Sequence, residues 1–244
     1  MEFVVEAREL QKTYRRGRIE VGAVRGVSLQ VAAGELVAIV GPSGSGKSTL
    51  LNMLGALDRP DQGDVIIDGV PLSSLDDAGR TGLRRQKVGL VFQFFNLLPL
   101  LTARENVALP LLLAQVPRAE AERRADELLE RVGLAERVLH TPDEMSGGEM
   151  QRVAVARALG PHPAVLLADE PTGNLDSHSG TGVLQLLEAV AKDEGCAVIM
   201  VTHDPRAAAV AQRVIEFGDG RIVGERRREV RRDAELAPDS ALEA

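Results

Sequence analysis

Tryptophan is missing from this chain, and tyrosine and cysteine occur once each, at Tyr14 and Cys196. A single cysteine excludes a disulfide within the chain and any zinc site built on cysteines. Cys196 opens the apolar run "CAVIMVT" and reads as a buried strand thiol. A basic excess is also lacking: 29 Lys and Arg stand against 36 Asp and Glu, a net charge of −7. A nucleic-acid binder needs a basic face, so no nucleic-acid partner is expected. No apolar run approaches the ~18–20 residues that cross a bilayer. The charged start "MEFVVEAREL" carries no signal-peptide core. These absences predict a soluble protein of a reducing compartment that reaches a membrane only through a partner. No internal repeat is found.

What remains is globular in type, 44% hydrophobic and 27% charged. Its 244 residues suffice for one large domain, or a core with a smaller lobe. Residues 3–31 read as short β segments, "VSLQV" alternating clearly. "ELVAIV" (35–40), "KVGLVFQ" (87–93), "AVLLADE" (164–170) and "CAVIMVTHD" (196–204) are strands. Three of them are continuous apolar runs, typical of strands buried on both faces. "DVIIDG" (64–69) is a further strand. Helical spacing follows Ser48 and recurs over 102–134 and 179–194. "RVIEFGDGRIVGE" is a hairpin turning at Asp219-Gly220. Strand–helix alternation of this kind predicts an α/β fold with a mostly parallel, helix-covered sheet.

Four strand ends carry the chemistry. "GPSGSGKST" fits G-x-x-x-x-G-K-[ST] as Gly41, Gly46, Lys47 and Ser48, between a buried strand and a helix. Such a loop turns several N–H groups toward one anion, and the helix dipole adds positive potential. Lys47 can reach the β- and γ-phosphates, and the Ser48 hydroxyl can take a place on Mg²⁺. Asp169 and Glu170 end "VLLADE". The first suits support of Mg²⁺ and the second polarising an attacking water, with capping of the next turn as the plainer role. Gln93 ends "VGLVFQ" and can coordinate Mg²⁺ or hold water; the alternative is a hydrogen bond at a loop entry. His203 ends "AVIMVTH" and can donate to a γ-phosphate or simply cap its strand. Tyr14 can stack on adenine or pack in a surface lobe. A second anion cradle, Ser146-Gly147-Gly148 in "MSGGEMQRVAVARAL", opens another helical run.

Tyr14, the Lys47 loop, Gln93, "SGGE", "LLADE", "NLD" (174–176) and His203 occur in an order that resembles the ATP-binding subunit of ABC transporters over residues 1–224. "VFQFFNLLPLLTARENVALPL" and "LADEPTGNLD" resemble the branch with lipoprotein-release, macrolide-efflux and cell-division ATPases. The resemblance implies a P-loop (RecA-like) core, an N-terminal antiparallel β lobe carrying the adenine-stacking aromatic, and an inserted helical lobe. Core and β lobe would occupy 1–94 and 161–224, and the helical lobe 95–160. The charged tail 225–244 reads as a frayed helix or disorder.

The implied ligands are ATP and Mg²⁺. Tyr14, Gly41, Pro42, Ser43, Gly44, Ser45, Gly46, Lys47, Ser48 and Thr49 would surround the nucleotide. Ser48, Gln93 and Asp169 would hold the metal, and Glu170, His203, Lys47 and Gln93 would serve catalysis. In the family two ATP-bound chains pack head to tail. Each Ser146-Gly147-Gly148 closes over the γ-phosphate on the other chain's loop, with Asp176 at the seam. Phe92, Phe94 and Phe95 with "NLLPLL" would border a groove for a helix of an integral membrane permease. The subunit would then sit in the cytoplasm, on the inner face of the cell membrane. The departures from the commonest pattern are Met145 for Leu and Glu149 for Gln. A DNA-repair member would carry a coiled-coil insertion or zinc cysteines, and a GTPase would carry N-K-x-D; both are absent. The alternative left is an ATPase with soluble partners, of the iron–sulfur cluster assembly type.

Overall fold

The computed structural model describes residues 3–17 and 19–228. Its elements in chain order are β1 (Phe3–Arg16), β2 (Ile19–Ala32), β3 (Leu36–Val40), α1 (Lys47–Leu54), β4 (Gln62–Ile67), β5 (Val70–Pro71), α2 (Asp77–Lys87), β6 (Val88–Phe92), α3 (Ala103–Leu113), α4 (Arg118–Arg131), α5 (Gly147–Leu159), β7 (Val165–Asp169), α6 (Ser177–Glu194), β8 (Ala197–Thr202), α7 (Pro205–Val210), β9 (Arg213–Gly218) and β10 (Arg221–Arg227). One sheet is antiparallel, in the order β2-β1-β4-β5. The other runs β10-β9-β3-β8-β7-β6 and is parallel except at the β9–β10 hairpin. The expected fold class, a mostly parallel α/β core with an antiparallel lobe and a group of helices, is what the chain adopts.

Burial on both faces explains the apolar strand runs. Along β3, Leu36 and Ala38 face one hydrophobic cluster while Val37 and Ile39 face the other. β8 divides the same way, with Val198 and Met200 opposite Ala197, Ile199 and Val201. The first cluster joins the sheet to α3, α4, α5 and α6. The second joins it to α1 and the antiparallel sheet.

Four expectations change. Residues 3–31 form two long strands rather than short segments; register shifts along β1 break the alternation that would have shown them. The helical run 102–134 is broken at residues 114–117 into α3 and α4, where Pro117 precedes the new helix. α2 and α7 were not foreseen. α2 holds two glycines and buries only Leu83, so it shows little apolar stripe. β10 runs to Arg227, past the expected domain end at 224, and the rest of the tail lies outside the described residues.

Between β6 and β7, α3, a 3-10 turn at Pro142–Glu144 and α5 begin in a shared way, whereas α4 has no side-chain cap. Thr102 with Glu105, Thr141 with Glu144, and Ser146 with Glu149 each form a capping box. The glutamates accept from the cap backbone N–H at 2.9, 2.8 and 2.8 Å. Those backbone bonds hold all three carboxyls below their ordinary value of 4.5. A carboxyl depressed on folding stabilises the native state fully above 4.5, and that contribution is lost as pH falls through the lower native value. The triple variant Glu105→Gln, Glu144→Gln, Glu149→Gln is therefore expected to be less stable than the parent at pH 6.5. The gap should narrow at pH 3.5, as read by urea denaturation. A gap constant across that range would deny the carboxylates this role.

Candidate active site

The parallel register sets the site. Val40 pairs with Thr202, Asp169 with Val201, and Phe92 with Asp169. The carboxyl ends of β3, β6, β7 and β8 therefore finish nearly level. The residues that follow meet around a cleft of ≈ 510 Å³ lined by Ser43, Gly44, Gly46, Lys47, Ser48, Thr49, Gln93, Asp169, Glu170 and His203.

The loop from Gly41 to Gly46 is pressed against its neighbours. A Cβ on Gly41 would stand 2.0 Å from the Phe217 carbonyl oxygen, and one on Gly46 2.0 Å from that of Ala23. Gly46 also has φ 103, a conformation open chiefly to glycine. Lys47 is buried, and its Nζ donates to the carbonyls of Gly41 at 2.9 Å and Pro42 at 2.8 Å. The Ser45 hydroxyl is buried in the same loop without a protein partner. α1 has no side-chain cap and no acidic residue in its first turn. By contrast α2, α3, α5, α6 and α7 are capped by Asp76, Thr102, Ser146, Asp176 and Asp204. Uncapped N–H groups at the start of α1, with Lys47 beside them, suit a phosphate.

Around this cradle the side chains pair. Ser48 Oγ donates to Asp169 Oδ1 at 3.1 Å. Burial pushes the Asp169 carboxyl up, against the pull of the Ser48 hydrogen bond. Glu170 Oε1 lies 2.8 Å from His203 Nδ1, and the His203 backbone N–H donates to Glu170 Oε2 at 3.3 Å. Glu170 has φ 48, left-handed for a residue with a side chain. The Gln93 amide donates to Asn174 Oδ1 at 3.3 Å, and Asn174 Nδ2 returns a bond to the Gln93 carbonyl at 3.0 Å. Among the described residues no group of three or more His, Cys, Asp or Glu could hold a metal. A hydroxyl, an amide oxygen and one carboxylate at Ser48, Gln93 and Asp169 are a hard, sparse oxygen set. That set fits Mg²⁺ shared with phosphate oxygens, not a cation caged by protein alone.

Residues 24–173 match the family model described as ABC transporter. The chain belongs to the ABC transporter ATPase family. The "Lipoprotein-releasing system ATP-binding protein LolD" of Maricaulis maris is 49% identical over 221 residues, spanning 91% of this chain and 96% of that protein. An "Uncharacterized ABC transporter ATP-binding protein" of Thermotoga maritima is 49% identical over 230 residues, spanning 94% and 98%. Among solved structures, the ATP-binding cassette MJ0796, in a dimeric post-hydrolysis state bound to ADP and Pi, superimposes with TM-score 0.84. It is 44% identical, covering 91% of this chain and 98% of that one.

In this ABC ATPase the remaining expected residues, Tyr14, Ser146, Gly147, Gly148 and Asp176, are not among those that line the cleft. Tyr14 is 43% exposed, and its hydroxyl is bound to Asp58, in the loop that follows α1. Ser146, Gly147 and Gly148 do not line the cleft of their own chain. Ser146 caps α5, and its Oγ donates to Glu149 Oε2 at 2.9 Å. Glu149 also pairs with Arg137 at 3.0 Å. A Cβ on Gly148 would lie 2.7 Å from Ser179 Cβ, so close packing on α6 already asks for glycine. Asp176 caps α6, accepting from the backbone N–H of His178 at 2.9 Å and Ser179 at 3.0 Å. Met145 is buried in the helical cluster, where its apolar bulk is what counts.

Sequence reasoning missed Asn174, Gln151 and Asn106. Gln151 is fully buried, and its amide donates to the carbonyls of Pro171 at 2.8 Å and Phe92 at 3.3 Å. Asn106, also fully buried, accepts from Leu98 N–H at 2.8 Å and donates to the carbonyls of Leu98 and Leu101. It thereby fixes the segment after Gln93. Single amides of this kind make no spacing pattern.

The φ of Glu170 yields a test. Left-handed backbone costs a residue with a Cβ, and glycine removes that cost. Glu170→Gly is expected to raise stability by about 0.5–1 kcal/mol in urea denaturation. A loss of stability would mean that the Glu170–His203 contact outweighs the strain.

Proposed function

We propose that this ABC ATPase hydrolyses Mg²⁺-bound ATP at a composite site shared by two head-to-tail copies, and that the cycle drives an integral membrane permease. The observation that carries the reading is the division of anion cradles. The Lys47 loop opens onto Asp169, Glu170 and His203 of its own chain, while Ser146–Gly148 is off that cleft. A nest outside the cleft of its own chain is useful when a second chain brings one to it.

Within the site Lys47 and the α1 N–H groups hold the β- and γ-phosphates. Ser48, Gln93 and Asp169 would hold Mg²⁺, which neutralises charge on the phosphate oxygens. Glu170 accepts the proton of the attacking water. His203 holds Glu170 through Nδ1; it donates to the γ-phosphate at the same time only as the doubly protonated ring. Tyr14 stacks on adenine. Ser146, Gly147 and Gly148 of the second copy close over the γ-phosphate, with Asp176 near the seam. We take the ATPase unit to run to the end of β10 at Arg227, with 95–160 as its helical lobe.

The permease assignment draws on a groove of ≈ 460 Å³ between α2, β6 and α3, whose walls include Leu90, Phe92, Leu109 and Leu113 with Arg84, Arg85 and Arg157. Among the described residues no carboxylate lines it. Arg157 donates to the Phe95 carbonyl at 3.0 Å and to that of Asn96, and burial lowers its pKa. In the segment after Gln93, Phe94 and Leu100 are exposed at 72% and 91%. An apolar groove rimmed by guanidinium groups suits an amphipathic helix bearing an acidic residue. The relative LolD is named for a lipoprotein-releasing system; a permease of that type is the partner we favour. It would tether the chain to the inner face of the membrane.

Two expected outcomes test this. In the first, all chains carry Glu170→Gln, so bound ATP is held without turnover. Lys47→Ala and Ser146→Arg variants should each stay monomeric with ATP in size-exclusion chromatography, and their mixture should form a dimer, because one site then has an intact loop and an intact nest. No dimer in the mixture would refute the shared site. In the second, Leu100→Asp with Leu113→Asp should move most of the subunit from the membrane to the soluble fraction of cells while soluble ATPase activity persists. A purified complex of soluble partners only would overturn the permease assignment.

A further inference from the structure

We propose that Lys12 and Asp58 are positioning residues that preset the Tyr14 ring and offer only one of its faces to the nucleotide base. This rests on Tyr14 being the base-stacking residue, as proposed above. The Tyr14 hydroxyl donates to Asp58 Oδ2 at 2.6 Å. Lys12 Nζ donates to Asp58 Oδ1 at 2.8 Å and to the Arg59 carbonyl at 2.7 Å. The same ammonium lies 5.4 Å from the centroid of the Tyr14 ring. The two residues are two apart on β1, and both side chains reach the Asp58 carboxylate.

The group stands on a braced scaffold. Thr13 N–H donates to Asp61 Oδ2 at 2.7 Å, and Asp61 N–H donates to the Gln11 carbonyl at 2.8 Å. Residues 58–61 are therefore bound to the end of β1 at several points, and they follow α1, which carries Lys47 and Thr49. Burial opposes the charges, but the Lys12 and Tyr14 hydrogen bonds outweigh it at Asp58 and hold the carboxyl below its ordinary value. The pair is thus charged at neutral pH.

The physical consequence is preorganisation. A half-exposed tyrosine normally loses rotamer freedom when a ligand stacks on it. Here the phenol is tied at one end and a cation covers one face, so the ordering has occurred before the base arrives. The base is left the opposite face.

The test uses the full chain with Glu170→Gln, titrated calorimetrically with MgATP and with inorganic tripolyphosphate, which has no base. Asp58→Ala, Lys12→Met and Tyr14→Phe should each weaken ATP by roughly three- to tenfold. Each should leave tripolyphosphate within about twofold of the parent. Tyr14→Ala with Asp58→Ala should be no worse than Tyr14→Ala alone, since the pair acts through the ring. Equal losses for both ligands, or losses that add in the double variant, would overturn the proposal and reduce the pair to a staple of the β1 end. If Tyr14→Ala weakens ATP and the Asp58 and Lys12 variants do not, this inference fails while stacking stands. If Tyr14→Ala leaves ATP affinity unchanged, the stacking reading itself fails.

Discussion

Everything at the cleft depends on the register of four parallel strands. Because Phe92 is opposite Asp169, Asp169 opposite Val201 and Val40 opposite Thr202, the chain leaves the sheet at one level. The Lys47 loop, Gln93, Glu170 and His203 are brought together by backbone pairing before any of their side chains interact. Slipping a buried strand by one residue would exchange its two faces, and each face fills a different cluster. Core packing thus guards the alignment of the chemical groups.

The helix termini separate two uses of the same backbone property. At α1 the N–H groups have no side-chain cap and are left for a ligand. At α5 the Ser146 side chain and Glu149 satisfy each other, and Arg137 offsets the carboxylate. This gives Glu149 a physical account where the commonest family pattern has glutamine. Its charge completes the cap and is balanced by a guanidinium, so the nest keeps its shape without presenting a bare anion.

The strands of the parallel sheet were legible because burial on both faces writes continuous apolar runs, and the Lys47 loop because its glycines are spaced by phosphate geometry. The three Ser/Thr-x-x-Glu capping boxes were equally legible in "TARE", "TPDE" and "SGGE", yet only the last was singled out, and for another reason. α2 was hidden by its glycines, and the length of β1 by its register shifts. Lys12 and Asp58 lie far apart in sequence and meet only because β1 passes beside the loop after α1. No local pattern could announce that pair.

Gln151 ties these parts together. It lies one turn into α5, beyond the nest, and its amide grips the Phe92 carbonyl just before Gln93 and the Pro171 carbonyl just after Glu170. Its own Oε1 is buried without a partner, so the side chain has no second anchorage to fall back on. One side chain of α5 thus holds the backbone next to two residues that line the cleft, Gln93 and Glu170. In the proposed pair of chains, α5 would carry at its start the nest for one cleft and, one turn later, the amide that braces the other.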